Sequence, residues 1–445
     1  MKPKKSLFHR LNTFQLIIIG FITIIFLGAL LLTLPISSRA GVFSSFSDCI
    51  FTSVSATCVT GLVVQDTATY WSGFGQAVIL ILIQIGGMGV ITVGMAIMKA
   101  SGRKISLRQR SAMQESISAP QLGNIVSITG FIIKMSLIIE GIGAFLLAPV
   151  FIHDFGIGKG IWYSVWHSIS AFCNAGFDLM GDREKFSSLC SYESNAYLNT
   201  VIMLLIILGG IGFLVWKDIS IKKFHIKRYT LQTKIVLVTT IVLIILPAIY
   251  MFLFVYDGMD LGDRVTASFF QSVTTRTAGF NTTDLTQMNT SGTTIMIILM
   301  LIGGSPGSTA GGMKTVTFTV MLLSAFAVFR RHKDVKCFRR RIPEDAIRNA
   351  GAILVMYVFL FITSGMFITY IEDVPLLQSF FETGSAIGTV GLTLGLTTSL
   401  SLLSKIILML LMFFGRVGGL TLIYAAVSAS DNTHSRLPSE NISVG

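Results

Sequence analysis

The chain has 445 residues, of which 52% are hydrophobic and only 13% charged; its mean hydropathy is +0.74 and its formal net charge +12. A soluble domain carries about 25% charged residues, so this composition excludes a water-soluble globular fold. The surplus of basic residues invites a nucleic-acid reading, but their placement, described below, argues against it.

The first apolar run, 14–35, holds no charged residue. At about 1.5 Å per helical residue it is long enough to cross about 30 Å of hydrocarbon. Lysines precede it, as they precede a signal peptide, but the run exceeds an h-region and many like it follow. Further runs are 74–98, 125–151, 197–215, 235–256, 293–329, 351–371 and 406–427. Runs one and two flank "SVSATCVTGLVV", three and four "SISAFCNAGFDL", five and six "SVTTRTAGFNTT", seven and eight "TGSAIGTVGLTL". The pattern predicts an all-α integral membrane protein: four pseudo-repeats of helix–pore loop–helix around one central pore, with eight spans and four half-span pore helices. The repeats fall at 1–112, 113–228, 229–342 and 343–445, the last including a cytoplasmic C-terminal tail.

Gly61, Gly176, Gly279 and Gly391 form one column of the repeat. Ten residues before each stands an aromatic: Phe51, Trp166, Phe269 and Phe381. Directly after each comes Leu62, Phe177, Phe280 or Leu392. Further on, in the second helix of each unit, lies a glycine pair: Gly86-Gly87, Gly209-Gly210, Gly303-Gly304 and Gly418-Gly419. The second unit has a longer interval, matching the polar stretch "GDREKFSSLCSYESN", read as a longer outer loop.

Basic residues cluster at Lys2, Lys4, Lys5 and Arg10, at 99–110, 217–234 and 330–348, and at Arg436. Every cluster lies between units or at a terminus, whereas the segments bearing the column glycines carry Asp66, Asp154, Asp178, Asp182, Glu184, Asp257, Asp260, Asp263, Glu372 and Asp373. Positive-inside placement puts both termini in the cytoplasm and the glycine loops at the outer face of a cell membrane. The five cysteines have neither a disulfide framework nor metal-ligand spacing.

Non-helical backbone at membrane depth is tolerated only where protein buries it or it lines a watery cavity. Four such loops can converge so that their carbonyls replace an ion's hydration shell, with glycine where a Cβ would strain the turn. The candidate filter is therefore Thr57, Cys58, Val59, Thr60 and Gly61; Phe172, Cys173, Asn174, Ala175 and Gly176; Thr275, Arg276, Thr277, Ala278 and Gly279; and Ile387, Gly388, Thr389, Val390 and Gly391. Carbonyl ends of the half-helices favour a cation. The alternative is that the glycines serve only close helix packing.

On "CVTGL", "CNAGFD", "TRTAGFNT", "GTVGLT", "GGSPGSTAGGMKT" and "FFGRVGGLT", the chain resembles the Trk/Ktr/HKT superfamily of potassium transporters over nearly its whole length, in detail the membrane subunit of bacterial Ktr systems. The resemblance implies potassium uptake with K+ held at the filter glycines and no covalently bound cofactor, Na+ being a candidate coupling or activating ion. It also implies a homodimer in the lipid bilayer and a cytosolic, nucleotide-binding RCK-type regulatory ring (KtrA-like). Only "GTVGL" comes near the potassium-channel signature "TVGYG", and the residues alone do not rank K+ over Na+.

The stretch "GGSPGSTAGG", Gly303, Gly304, Ser305, Pro306, Gly307, Ser308, Thr309, Ala310, Gly311 and Gly312, must break its helix. It matches G-x-S-x-G, but that pattern needs a strand-turn-helix and a histidine partner. It nearly matches a P-loop, but Met313 separates Gly312 from Lys314 and no strand precedes it. The chain is accordingly read as a transporter and not an enzyme. The stretch is read as a gate below the filter, as the resemblance also implies, with a passive hinge as the alternative. Gly303 lies 24 residues after Gly279 and Arg416 lies 25 after Gly391. The two should share one depth, with Arg416 donating to loop carbonyls and Lys314 nearby.

Other ionisable residues in the spans are Lys134 and Glu140, to which no role is assigned, and Arg276 and Glu382, which neighbouring units could bring together as a pair; Arg276 solvated in the outer vestibule is the alternative. The basic loop 330–341, its neighbours and the tail "SASDNTHSRLPSENISVG" offer a docking surface for the cytosolic partner. The rival function is a broken-helix secondary transporter coupling another cation or solute to Na+; that design favours inverted repeats, whereas all four units here run in one direction. A non-transporting scaffold needs no polar re-entrant loops.

Overall fold

The computed structural model describes residues 12–102, 105–117, 125–426 and Glu440. The N-terminal basic residues, Arg103, Lys104, Arg436 and nearly all of the C-terminal tail lie outside the described residues.

The first unit opens with α1 (Thr13–Thr33). Asn12 starts it with a reciprocal cap: its Oδ1 accepts from the Gln15 amide at 2.7 Å, and the Gln15 side chain accepts from the Asn12 amide at 2.9 Å. Then come α2 (Phe46–Thr57), the single turn α3 (Thr67–Tyr70), α4 (Gly73–Met88), α5 (Val90–Ala100) and α6 (Leu107–Ser116). The second unit is α7 (Ile125–Phe155), α8 (Ile157–Phe172), α9 (Ala196–Ile211) and α10 (Phe213–Lys222). The third is α11 (Leu231–Phe254), α12 (Leu261–Thr274), α13 (Thr290–Met300) and α14 (Thr315–Phe329), followed by a hairpin of β1 (Lys336–Cys337) and β2 (Arg340–Arg341). The fourth is α15 (Glu344–Glu372), α16 (Leu376–Gly388), α17 (Leu402–Val417) and α18 (Gly419–Ala426).

The all-α expectation holds, and each unit supplies a long outer helix, a short helix aimed at the centre and an inner helix. Helices α1, α7, α11 and α15 are long and apolar enough to cross a membrane. Their outer faces leave Phe26, Phe145, Leu246 and Val355 exposed, which suits a hydrocarbon surround. The inner runs 74–98, 197–215 and 406–427, each expected as one span, are bent. α4 and α5 meet at 95°, α9 and α10 at 93°, α17 and α18 at 94°. The hinge in each case is one glycine: Gly89, Gly212 or Gly418, with φ of +88°, +103° and +91°. A Cβ is strained in that region, so the bend is written by glycine. In the third unit the irregular stretch 301–314 takes the place of the bend.

A second glycine, three residues before each hinge, sets how closely the inner helix approaches. A Cβ on Gly86 would strike the Thr57 carbonyl, on Gly209 that of Phe172, and on Gly415 that of Ile387, each the C-terminal end of a pore helix. The pairing of Gly418-Gly419 with Gly86-Gly87 therefore slips by three residues; Gly415 is the fourth member. The third unit is also out of phase. Phe51, Trp166 and Phe381 are fully buried, but Phe269 is 39% exposed and Phe270 takes the buried place. The turn behind it is one residue shorter: the Ala278 amide donates to Thr274, four residues back, where Thr60, Ala175 and Val390 donate five residues back to Ser55, Ser170 and Ser385.

Candidate functional site

The four short helices α2, α8, α12 and α16 point their C-terminal ends to one place, and the loops that follow meet there. A Cβ on Gly61 would press on the Ala175 carbonyl, on Gly176 on that of Ala278, on Gly279 on that of Val390, and on Gly391 on that of Thr60, all closer than 3.0 Å. The contacts run from unit one to two, three, four and back to one. The four column glycines thus close a ring, each against the carbonyl that precedes the next. All four have positive φ, +93°, +70°, +82° and +97°.

Two residues before each glycine the backbone is left-handed again, at Val59, Asn174, Thr277 and Thr389, with φ of 57°, 57°, 67° and 52°. Three of these are β-branched, for which this region is costly. Four equivalent strained residues mark a backbone shape that the surrounding helices impose. Cys58 and Cys173 lie buried behind the loops, and the Cys173 thiol faces Gly87 rather than the ring. Phe172, Ile387 and Gly388 belong to the last turns of their helices, and the Thr275 hydroxyl is turned back to the Ser272 carbonyl at 2.9 Å.

Outside the ring lies a cavity of about 300 Å³ lined by all four glycines and by Asp66, Asp178 and Asp284. The Thr286 hydroxyl donates to the exposed Asp284 carboxylate at 2.7 Å and holds that carboxyl below its usual range, so it carries a negative charge at neutral pH. The long loop of unit two, 177–195, folds over this mouth. The Leu189 amide donates to the Asn281 carbonyl at 2.9 Å, and the Phe186 amide to Asp66 at 3.2 Å.

Arg276 and Glu382 do not pair. Among the described residues no ion pair joins them: the Glu382 carboxylate accepts from the Thr393 hydroxyl, from the Leu394 amide at 3.2 Å and from the Thr397 hydroxyl at 2.6 Å, all on its own unit. Arg276 is 5% exposed, neither solvated in the vestibule nor paired; its Nε and Nη1 have no partner, while its carbonyl accepts from the Asn174 side-chain Nδ2 at 3.2 Å. Depth separates the two. Six residues along a pore helix are about 9 Å, so adjacency around the ring does not bring the ends together.

Beneath the ring lies the 303–312 stretch. Its Ser305 and Thr309 amides donate to Gly210 and Gly209 of α9 at 3.0 and 3.3 Å, and Gly312 donates to Gly415 of α17 at 3.1 Å. Gly303 and Gly304 donate back to Met313 and Gly311, and Gly307 accepts from Phe213 at 2.7 Å. The Thr309 hydroxyl reaches the Phe172 carbonyl and the Asn174 side chain, both at 3.0 Å. Gly311 and Gly312 leave no room for a Cβ against Thr389 and Gly388. The stretch is thus fastened to units two and four directly under the ring. Pro306 and Ser308 are half-buried, with Ser308 donating to Ser305 at 2.7 Å, while Ala310 is buried against Gly304.

Arg416 comes to this stretch at the expected depth. It donates to the Thr309 carbonyl and also to the Gly86 and Gly87 carbonyls at the end of α4, where a cation is favoured. Lys314 donates to Ala310 at 2.8 Å. A cavity of about 180 Å³ opens below, lined in part by Glu115, Gly307, Lys314 and Arg416. Glu140, named in the sequence without a role, finds its partner in Gln84, which the sequence reading missed. Both oxygens of the buried Glu140 accept from Gln84, at 3.0 and 2.9 Å, next to Cys173. The signal was a carboxylate in a span with no basic residue one turn away.

Three comparisons agree with this architecture. The family model described as TrkH, cation transport protein, matches residues 4–436. The chain is similar to the potassium/sodium uptake protein NtpJ of Enterococcus hirae, 38% identical over 99% of each chain. It is likewise similar to the Ktr system potassium uptake protein B of Bacillus subtilis, 38% identical over 100% of this chain and 99% of that one. The crystal structure of the potassium transporter TrkH from Vibrio parahaemolyticus superposes with a TM-score of 0.73 at 18% identity, covering 95% of this chain and 86% of its own. That last likeness speaks for the fold.

Proposed function

The chain belongs to the TrkH family of cation transport proteins, and from that premise we propose that it is the ion-translocating subunit of a potassium uptake system. One observation carries the reading: four glycines from four units close a single ring of backbone carbonyls, at φ values that exclude ordinary side chains. Such a ring suits a dehydrated monovalent cation, and the full-length relatives named for potassium uptake favour K+. On this reading the five residues ending at each column glycine form the filter, and 303–312 with Lys314 and Arg416 form a gate across the path below. The subunit works as a homodimer with both termini in the cytoplasm, and Na+ serves as a coupling or activating ion. Purified protein in liposomes under opposed K+ and Na+ gradients should carry K+ inward in preference to Na+. Equal flux of both ions, or flux only of another solute coupled to Na+, would point to the secondary-transporter reading.

Regulation belongs to a separate cytosolic nucleotide-binding ring. The basic hairpin β1–β2 supports this: Arg341 is engaged by Asp334 at 2.9 Å and by Glu344 at 3.0 Å, whereas Arg340 faces a neighbouring cavity with Lys222, Arg228 and Lys234. Replacing Arg339 and Arg340 with Glu should weaken capture of an acidic partner surface by about tenfold, measured by sedimentation or pull-down of the assembled complex. Full response of the isolated subunit to nucleotide, with no second protein present, would remove the need for the partner.

A further inference from the structure

Directly after the buried aromatic of each pore helix comes a polar residue: Thr52, His167, Gln271 and Glu382, each at most 1% exposed. A fully buried polar side chain is costly unless it is hydrogen-bonded, and three of these four spend their bonds on the strand that leaves the ring. The His167 Nε2 accepts from the Leu179 amide at 3.4 Å, with its Nδ1 facing the Tyr163 carbonyl at 2.7 Å. The Gln271 amide donates to the Thr283 hydroxyl at 3.0 Å. Glu382 accepts three bonds, from Thr393, Leu394 and Thr397. Leu179 and Leu394 stand at the same place, three residues beyond Gly176 and Gly391. Units two and four lie opposite one another in the ring, so the two acceptors of backbone amides stand behind opposite sides of it.

We infer that this position is a set of positioning residues, with Glu382 the strongest, that hold the outlet strand of each loop and thereby set the spacing of the glycine ring and its preference between monovalent cations. The inference rests on the filter reading above. Glu382 acts from behind: Thr393 and Thr397, which it holds, line the outer cavity together with Gly391, while Glu382 itself is 0% exposed. With the carboxylate removed, the Leu394 amide and two hydroxyls lose their acceptor, and residues 392–397 are free to relax away from the ring. A ring that can relax discriminates less between ions of different radius.

The test is calorimetric titration of K+ and Na+ into the purified full chain, for wild type, Glu382→Ala, Glu382→Gln and Gly391→Ser. Glu382→Ala should weaken K+ affinity about tenfold, the loss of a charged hydrogen-bond acceptor, and leave Na+ affinity within about twofold. Glu382→Gln keeps one acceptor oxygen and should fall between. If Glu382→Ala does not fold, Thr397→Val, which removes one donor without changing the side chain's shape, takes its place with a smaller shift in the same direction. A folded Glu382→Ala or Thr397→Val with wild-type affinity for both ions overturns the inference. If Gly391→Ser shifts the K+/Na+ ratio and the Glu382 and Thr397 variants do not, the filter reading stands and the positioning role falls. If Gly391→Ser also leaves the ratio unchanged, the filter reading itself fails.

Discussion

Gly391→Ser lowers K+ affinity by roughly ten- to a hundredfold in a protein that still folds, because about 1–3 kcal/mol of backbone strain is placed on one arm of the ring. Gly391 sits at φ +97°, and a Cβ there meets the Thr60 carbonyl and the Gly61 Cα of the neighbouring loop, both backbone atoms that have nowhere to rotate. The new side chain must push the Thr60 carbonyl, and that carbonyl is one that the ion would use. Gly61→Ser should behave in the same way against Ala175. At Gly176, with φ +70°, a Cβ would meet the Ala278 carbonyl and the Gly279 Cα at 2.7 and 2.9 Å, so the same direction of change is expected. The measurement is K+ and Na+ binding on monodisperse protein, with thermal unfolding as the control for folding. Unaltered K+ affinity in all four single variants would show that the glycines serve packing alone.

Arg416→Ala, or deletion within 306–311, raises K+ flux several-fold in the absence of the cytosolic partner and weakens the dependence on it. The guanidinium bridges the Thr309 carbonyl to the end of α4 through Gly86 and Gly87. A hydrogen bond from a charged donor is worth about 1.5–3 kcal/mol, enough to shift a closed stretch toward open by about ten- to a hundredfold. On the gate reading, removing the arginine also takes a positive charge out of the ion's way. The competing account is an arginine that only caps α4, and the two separate cleanly. A cap predicts lower thermal stability with flux unchanged or reduced, and no effect from shortening 306–311. A gate predicts that both changes raise flux.

The ring was legible because its demand on the chain is local: a loop that must turn its carbonyls inward needs glycine at one position, whatever surrounds it. Counting residues from Gly279 and Gly391 also placed Arg416 beside the 303–312 stretch, since helices convert sequence distance into depth. Other features escaped because several arrangements share one pattern. A lone Gly89 or Gly212 in an apolar run reads as a tolerated helix residue, yet each turns the inner helix by about a right angle. The pair Gly418-Gly419 looked like Gly86-Gly87, but closeness to a pore helix is decided by Gly415. Phe269 and Phe270 are interchangeable in sequence, and only the shorter turn ending at Ala278 shows which is buried. Arg276 and Glu382 were joined by their positions around the ring without regard to height along it.

A ring assembled from four separate polypeptides forces each gene product to occupy every side. Here one chain writes all four sides once, in a fixed order, and the sides differ: "TCVT", "FCNA", "TRTA" and "IGTV" precede the column glycines. A heritable change in one loop therefore alters a quarter of the ring in every copy of the molecule and is never diluted by mixing with unaltered subunits within that ring. Selection can act on a single side while the other three keep the molecule working, so asymmetry such as Arg276 in one loop and Cys173 in another can accumulate without the fourfold penalty that an identical-subunit ring would impose.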